Sequence, residues 1–498
     1  MSEKVSRRTF VKGAVGAAAV ASLSPSGLIK AAARGKSKAP NLVFVFPDQW
    51  RGQALGFRAE DPVHTPHLDR FAKESLSLPQ TVANYPLCSP YRGMLMSGKY
   101  SHANKVTGNC RADRAQYGVE LQQDEDCWSD VLQAQGYSLG YIGKWHLDAP
   151  REPFIEANPK WNTWCPPERR HGFDYWYSYG TYNDHNRPMY WETKADREEY
   201  HFVDQWSPEH EADKAIDYIQ NEDGTMRDPD QPFALVVSMN PPHPPYHLYP
   251  DKYREPYADK SLDSLLVRPN VDPEHPKAKA NTRDYYASIT GVDEQFARIL
   301  KAIDDVGLKE DTIVVFTSDH GDCLGTHGEV SKNNPFEESM RVPFLIRWPG
   351  KIKPGSDDLL LSTPDIYPTL LDLMGFEKEL PEGLQGDSYA QLMRGANIVR
   401  PSSQLYLKIP SEAPDLGARG VRTQRYKLVL DISANKEVSR MLFDLKEDPY
   451  ELENLAGSHP RVVEQLIDKE LKPWLLKTGD PWYQHLSALN AAGKAGNS

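Results

Sequence analysis

The run Ile313-Val314-Val315-Phe316-Thr317, leading directly into Ser318-Asp319-His320-Gly321-Asp322, decides the fold. Five β-branched or aromatic residues in a row, with no polar alternation, read as a strand covered on both faces, as in a parallel sheet. Three other runs share this design. Residues 42–46 lead into Pro47-Asp48-Gln49, residues 138–142 into Gly143-Lys144-Trp145-His146, and residues 233–239 into Asn240-Pro241-Pro242-His243. Helical patterns alternate with them. One follows Thr65-Pro66, with Leu68, Phe71, Ala72, Ser75 and Leu76 on one face. A second is opened by Asp126 and ends at Gly136. The longest spans about 282–306, stopped by Gly307, and a fourth runs from Thr363-Pro364 to Gly375. Strands alternating with helices give an α/β fold, a large doubly wound and mostly parallel sheet flanked by helices. Such sheets bind ligands beyond the carboxyl ends of their strands, so the four polar clusters should meet on one rim.

After Pro401 the pattern changes. Short strands at 404–409, 417–423, 426–431 and 441–445 follow one another without helices. Asp448-Pro449-Tyr450-Glu451-Leu452-Glu453-Asn454-Leu455 and an amphipathic helix at about 461–476 complete a small α+β subdomain with an antiparallel sheet. The expected organisation is a catalytic α/β domain over 40–400, the subdomain over 401–480, and a small, polar, mobile tail over 487–498.

The N-terminus reads Ser6-Arg7-Arg8-Thr9-Phe10-Val11-Lys12, then a weakly apolar run to Leu23 and Ala31-Ala32-Ala33. It resembles a bacterial twin-arginine export signal over residues 1–33, with a basic helical tail as the alternative. The apolar run is too short to anchor the chain in a bilayer, so a removable leader is expected. That predicts passage through the twin-arginine machinery, a periplasmic or secreted location and no stable membrane anchor. A net charge of −12 and a pI near 5.7 exclude nucleic acid as a partner, since no basic stripe is available for phosphates. The cysteines, at 88, 110, 127, 165 and 323, are odd in number, and spacing assigns no pairing among them.

Cys88-Ser89-Pro90-Tyr91-Arg92 runs on through Gly93-Met94-Leu95-Met96-Ser97-Gly98. Pro90 can open a helix and Gly98 close it, which places Cys88 at a helix N-terminus, where an anion is favoured. The same segment also suits an inert buried cysteine. Elsewhere, Asp48, Gln49, Asp319 and His320 offer two carboxylates, an amide oxygen and an imidazole. Together they compose a site for a hard divalent cation, Ca2+ first and Mg2+ second.

Cys-x-Pro-x-Arg with a following Ser-Gly resembles the modification signature of the type I, formylglycine-dependent sulfatases of the alkaline-phosphatase-like superfamily. Gly143-Lys144-Trp145-His146, Pro241-Pro242-His243-Pro244-Pro245 and Phe336-Glu337-Glu338-Ser339-Met340-Arg341-Val342-Pro343 are similar to further signatures of that family, in order. Tyr91 stands where Ser or Ala is usual, and Gln49 where a second Asp is common. The resemblance implies that a maturation enzyme oxidises Cys88 to formylglycine (3-oxoalanine), whose hydrate is the nucleophile. It implies that Arg92 and Lys144 hold the nucleophilic oxygen and that His146 takes a proton from the second hydroxyl. His243 and Lys332 would contact sulfate, with His243 protonating the leaving oxygen, while Glu337, Glu338 and Arg341 would be structural.

Between the second and third clusters lies His171-Gly172-Phe173-Asp174-Tyr175-Trp176-Tyr177-Ser178-Tyr179, followed by Tyr182, Asn183, Asp184, His185, Tyr190 and Trp191. These aromatics fit either a sugar-binding rim or the packing of an insertion onto the sheet. The resemblance favours a sulfated carbohydrate as substrate. Two alternatives are a phosphonate or phosphate monoester hydrolase of the same superfamily and a non-catalytic sulfated-glycan binding protein.

Overall fold

The computed structural model describes residues 39–486. The proposed leader and the tail from 487 lie outside the described residues. Ten strands form the main sheet: β1 (Asn41–Val45), β2 (Leu76–Ser77), β3 (Ser138–Lys144), β4 (Tyr175–Tyr179), β5 (Met189–Glu192), β6 (His201–Phe202), β7 (Phe233–Ser238), β8 (Thr312–Thr317), β9 (Phe344–Arg347) and β10 (Gly355–Ser356). Their order is β10-β2-β9-β8-β1-β7-β3-β4-β5-β6. The centre, from β8 through β1, β7 and β3 to β4, is parallel, and β9, β5 and β6 join antiparallel. The fold is thus the α/β sheet read from the sequence, and the four expected strands are its parallel core.

Why these strands lack alternation is visible along β1. Leu42 and Phe44 face one core layer, shared with Tyr141, Val236 and Val315. Val43 and Val45 face the other, shared with Ile142, Leu235 and Val314. Side chains point to opposite faces in turn, and helices cover both, so every position must be apolar. Each such side chain contributes about 1.5–3 kcal/mol on burial.

Three helix ends differ from their sequence reading. Thr65 does not cap the helix Pro66–Lys73; its hydroxyl is engaged with Gly56 N–H (2.7 Å) and Asp69 (3.1 Å). The free N–H groups of His67 and Leu68 donate to the Asp293 carboxylate instead (3.0 and 2.6 Å). The longest helix begins earlier, at Pro276, because the His275 ring accepts from Ala278 N–H. The final helix is interrupted: Pro460–Leu466 and Lys472–Thr478 are joined by a π-turn at Ile467–Leu471. Pro473 has no N–H and its ring crowds the carbonyl four residues back, which the widened turn relieves.

The aromatic insertion is mostly core. Trp176, Tyr177, Tyr179, Tyr190 and Trp191 are buried in β4 and β5, and the segment between these strands carries Tyr182 to His185 toward the site. The second sheet, β11 (Ser403–Lys408), β12 (Gly417–Thr423), β13 (Tyr426–Ile432) and β14 (Val438–Asp444), is an antiparallel meander. Leu405, Val421, Leu428 and Leu442 pack with Tyr85, Leu87 and Met94, flanking Cys88. Asn84 joins the two bodies, its side chain donating to Leu405 O and its carbonyl accepting from Leu407 N–H, both at 2.8 Å. Among the described residues, no helix is long and apolar enough to cross a membrane. All five cysteines are free and buried.

Candidate active site

Cys88 is the first residue of the helix Cys88–Ser97, and Arg92 lies one turn further on the same face. That spacing aims both at the carboxyl ends of β1 and β8. The Arg92 guanidinium reaches between two carboxylates, 3.1 Å from Asp48 and 3.2 Å from Asp319. Its second terminal nitrogen donates to Lys144 O (2.6 Å) and Ser238 Oγ (2.7 Å). Gly143 sets up the last residue of β3: its φ is 94°, and a Cβ there would stand 2.2 Å from Ser238 O. Only glycine tolerates this approach. Lys144 then directs its ammonium to Asp48 (2.8 Å), Asn240 Oδ1 (3.1 Å) and Cys88 Sγ (3.9 Å).

The ligand atoms of Asp48, Cys88, Asp319 and His320 all lie within 4.8 Å of one another. His320 holds Gly321 O through Nδ1 (3.0 Å), which leaves Nε2 facing Cys88 Sγ (3.3 Å), Asp48 (3.5 Å) and Asp319 (3.6 Å). Burial of this ring is outweighed by Asp319 and Cys88, which raise its pKa, and Nε2 is the nitrogen that a cation would take in place of a proton. Acceptors converging in this way fit a hard cation. Burial and Asp48 raise the Asp319 carboxyl, whereas burial of Asp48 is outweighed by the nearby ammonium groups of Lys144 and Lys332, which hold it well below the usual range. Gln49, beside them, donates its N–H to Asp319 (2.9 Å) and offers its amide oxygen to the Lys332 ammonium.

His146 binds Cys110 O through Nε2 (3.2 Å), and its buried Nδ1 has no partner among the described residues. Burial, Lys144 and Arg92 keep the ring well below the ordinary histidine pKa, hence neutral. His243 donates through Nδ1 to Pro244 O (2.8 Å), and burial, Lys332 and Lys144 keep it neutral too. All ten residues named from the sequence therefore converge on one rim. Glu337, Glu338 and Arg341 stand apart, in ion pairs with Arg422, Arg268 and Glu60.

The sulfatase family profile matches residues 40–376, and the C-terminal profile of N-sulphoglucosamine sulphohydrolase matches 325–478. The chain belongs to the sulfatase family. It is 43% identical over 483 residues to an endo-4-O-sulfatase of Bacteroides thetaiotaomicron, covering 89% of this chain and 93% of the relative. An ulvan-active sulfatase of Formosa agariphila is 34% identical, with 89% and 82% covered. A crystal structure from Bacteroides fragilis, assigned to the sulfatases, superposes with a TM-score of 0.88 at 46% identity, covering 92% of this chain and 99% of that one. The protein is a hydrolase of sulfate esters.

Four residues of this sulfatase touch the site without having been singled out. Asn240 and Asp322 lie inside two of the polar clusters, but asparagine and aspartate at strand ends are common turn formers. Ser238 closes β7 under Arg92. Tyr246, which contacts Gln49, carries no local signal, whereas His185, named with the aromatic segment, supports His243 O rather than facing outward as a rim residue.

Proposed function

We propose that this sulfatase removes sulfate from a carbohydrate, using formylglycine made from Cys88 and a divalent cation. The observation that carries the reading is the convergence of a helix-terminal Cys88 with the ligand atoms of Asp48, Asp319 and His320, all within 4.8 Å of one another. Asp48, Asp319, His320 and residue 88 would hold the cation, with the Gln49 amide oxygen as a further donor. Ca2+ is favoured by the oxygen-rich set of two carboxylates, an amide oxygen and an oxygen on residue 88 beside one imidazole, with Mg2+ as the alternative. Bound there, the cation and the oxidised residue would supply Lewis-acid polarisation and an oxygen nucleophile.

The chain's own residues do the rest. Arg92 and Lys144 place positive charge where a nucleophilic oxygen on residue 88 must sit. His146, neutral and with Nδ1 open, is suited to accept a proton. Lys332 is the cation available to sulfuryl oxygens on the partly exposed side, with the His243 ring near it. His243 is neutral in the free site, so it becomes a donor only when the negative sulfate ester draws its pKa back up. That coupling ties leaving-group protonation to occupancy.

The carbohydrate rests on the endo-4-O-sulfatase and the ulvan-active sulfatase to which the chain is similar. Cys88 is 1% exposed, so a maturation enzyme must reach it before the helix packs. A twin-arginine route to the periplasm or exterior, which carries folded proteins, fits that order of events.

The mass of the tryptic peptide 74–92 tests the reading: formylglycine makes it lighter than the thiol form. Turnover of a sulfated oligosaccharide, compared with an aryl phosphonate, follows on the same preparation. An unmodified Cys88 with glycan binding and no turnover would leave a binding protein. Faster phosphonate cleavage would leave the phosphonate hydrolase.

A further inference from the structure

Gln49 is tied at every polar atom. Its N–H donates to Asp319 (2.9 Å) and its carbonyl accepts from Tyr285 OH (2.8 Å). Its φ of 71° lies in the left-handed region, which few non-glycine residues occupy. In the side chain, Nε2 donates to Asp322 Oδ2 (2.6 Å) and to Tyr246 OH (3.3 Å), while Oε1 accepts from Lys332. The two ends of the amide are not interchangeable here, because an ammonium only donates and a carboxylate only accepts.

Asp322 is itself fully engaged. Oδ1 accepts from Leu324 N–H (2.9 Å), and Oδ2 accepts from Gln49 and from Tyr246 OH (2.5 Å). Burial and Asp322 hold the Tyr246 hydroxyl well above its ordinary pKa, so it remains a donor. We infer that Asp322 and Tyr246 are positioning residues for sulfate: they lock the Gln49 carboxamide so that its neutral oxygen, not its NH2, holds the Lys332 ammonium. A carboxylate in direct contact would cancel the lysine's charge, whereas an amide oxygen fixes the ammonium and leaves that charge for the sulfuryl oxygens. The same orientation is the one a cation would need, since only the oxygen end can ligate it.

Asp322→Asn is nearly isosteric and turns the lock around. Leu324 N–H requires an oxygen at its end of the new amide, so the NH2 faces Gln49 and Tyr246. Gln49 must then offer its oxygen to that NH2, which sets its own NH2 against Lys332. Calorimetry of inorganic sulfate binding to the mature protein should show a roughly tenfold weaker Kd, with a matching rise in KM. Gln49→Glu combined with Asp322→Asn returns an acceptor to Lys332, but a charged one that cancels the lysine's charge. Sulfate binding should therefore stay as weak as in Asp322→Asn alone, which separates the need for a neutral oxygen from the need for any acceptor.

The inference rests on Lys332 as a sulfate contact, so Lys332→Ala is measured alongside. If Lys332→Ala binds sulfate as well as the parent, the reading of the site falls. If Lys332→Ala weakens binding but Asp322→Asn does not, or the double variant regains the parent affinity, the positioning role alone is overturned. Should Asp322→Asn not fold, Gln49→Leu and Tyr246→Phe decide. Unchanged sulfate affinity in both overturns the inference, and a large loss in the first with a smaller one in the second supports it.

Discussion

The chain buries two sets of charges, one on the rim of the large sheet and one where the small sheet meets it, and resolves them in opposite ways. At the junction, Glu337 accepts from Arg422 (3.0 Å) and pairs with Lys427 (2.8 Å), while Glu451 takes Lys427 (2.7 Å) on one oxygen and Glu337 N–H (2.8 Å) on the other. Lys427 completes itself on Pro335 O (2.7 Å). Each of these charges meets its opposite within the protein. At the rim, by contrast, Arg92 and Lys144 pair with Asp48 and Asp319, yet the His146 Nδ1 is unpartnered and the His320 Nε2 faces Cys88 Sγ and two carboxylates. Buried charges that close on one another hold a fold together; buried groups left open toward a common space are a site.

The comparison breaks most sharply at Cys88. Cys88→Ala should lower kcat on the order of 10^4-fold or more, because no other side chain there can form the covalent link. The unfolding midpoint should barely move. Residual turnover near the parent level would show that Cys88 is only a buried thiol. Lys427→Met reverses the pattern. Removing one partner of a buried ion network leaves Glu337 and Glu451 uncompensated and should cost about 3–5 kcal/mol in denaturant unfolding. Folded molecules should keep the parent kcat. A stable variant would mean that the junction charges are dispensable.

A third test sharpens the claim that the rim is left open for a cation. A ligand present at a hundred times its Kd stabilises the native state by about 2.7 kcal/mol. Calcium added after chelation should raise the midpoint of thermal unfolding accordingly, with magnesium the weaker of the two. Asp319→Asn should abolish the calcium-dependent part. If chelation and calcium leave the midpoint unchanged, the open lone pairs serve something other than a divalent cation.

How much of this could be read beforehand follows the same division. The strands at β1, β3, β7 and β8 were legible because both faces are covered, which forces unbroken apolar runs that no loop imitates. Asp48, Cys88, Lys144, His243 and Asp319 were legible because each follows such a run or opens a helix. Asp322 and Tyr246 were not, since they act through Gln49 and leave no pattern of their own. The aromatics of 175–191 were ambiguous for a different reason. A tyrosine buried in an insertion strand and one lining a sugar site look alike in one dimension, and only pairing with β3 put Trp176 and Tyr177 in the core. The π-turn before Pro473 was hidden because the amphipathic period continues through it.

The mildest effect expected concerns His185, which stands between the two regimes: buried like the junction, yet its Nε2 supports the backbone of His243 (2.8 Å). Burial lowers its pKa to about 4. As pH falls below the ordinary value of 6.5, the unfolded chain takes up a proton that the folded ring refuses, so stability is complete above that pH and drains away toward about 4. One such proton corresponds to a slope of about 1.4 kcal/mol per pH unit. His146 and His243 act with the same sign, since each is held well below the ordinary value. His185→Gln keeps an N–H for the carbonyl of His243 but cannot titrate. Denaturant unfolding between pH 6 and 5 should therefore be flatter in the variant by about that one-proton slope. Parallel curves would mean that the ring protonates freely in the native protein, and that this part of the rim is wetter than its burial indicates.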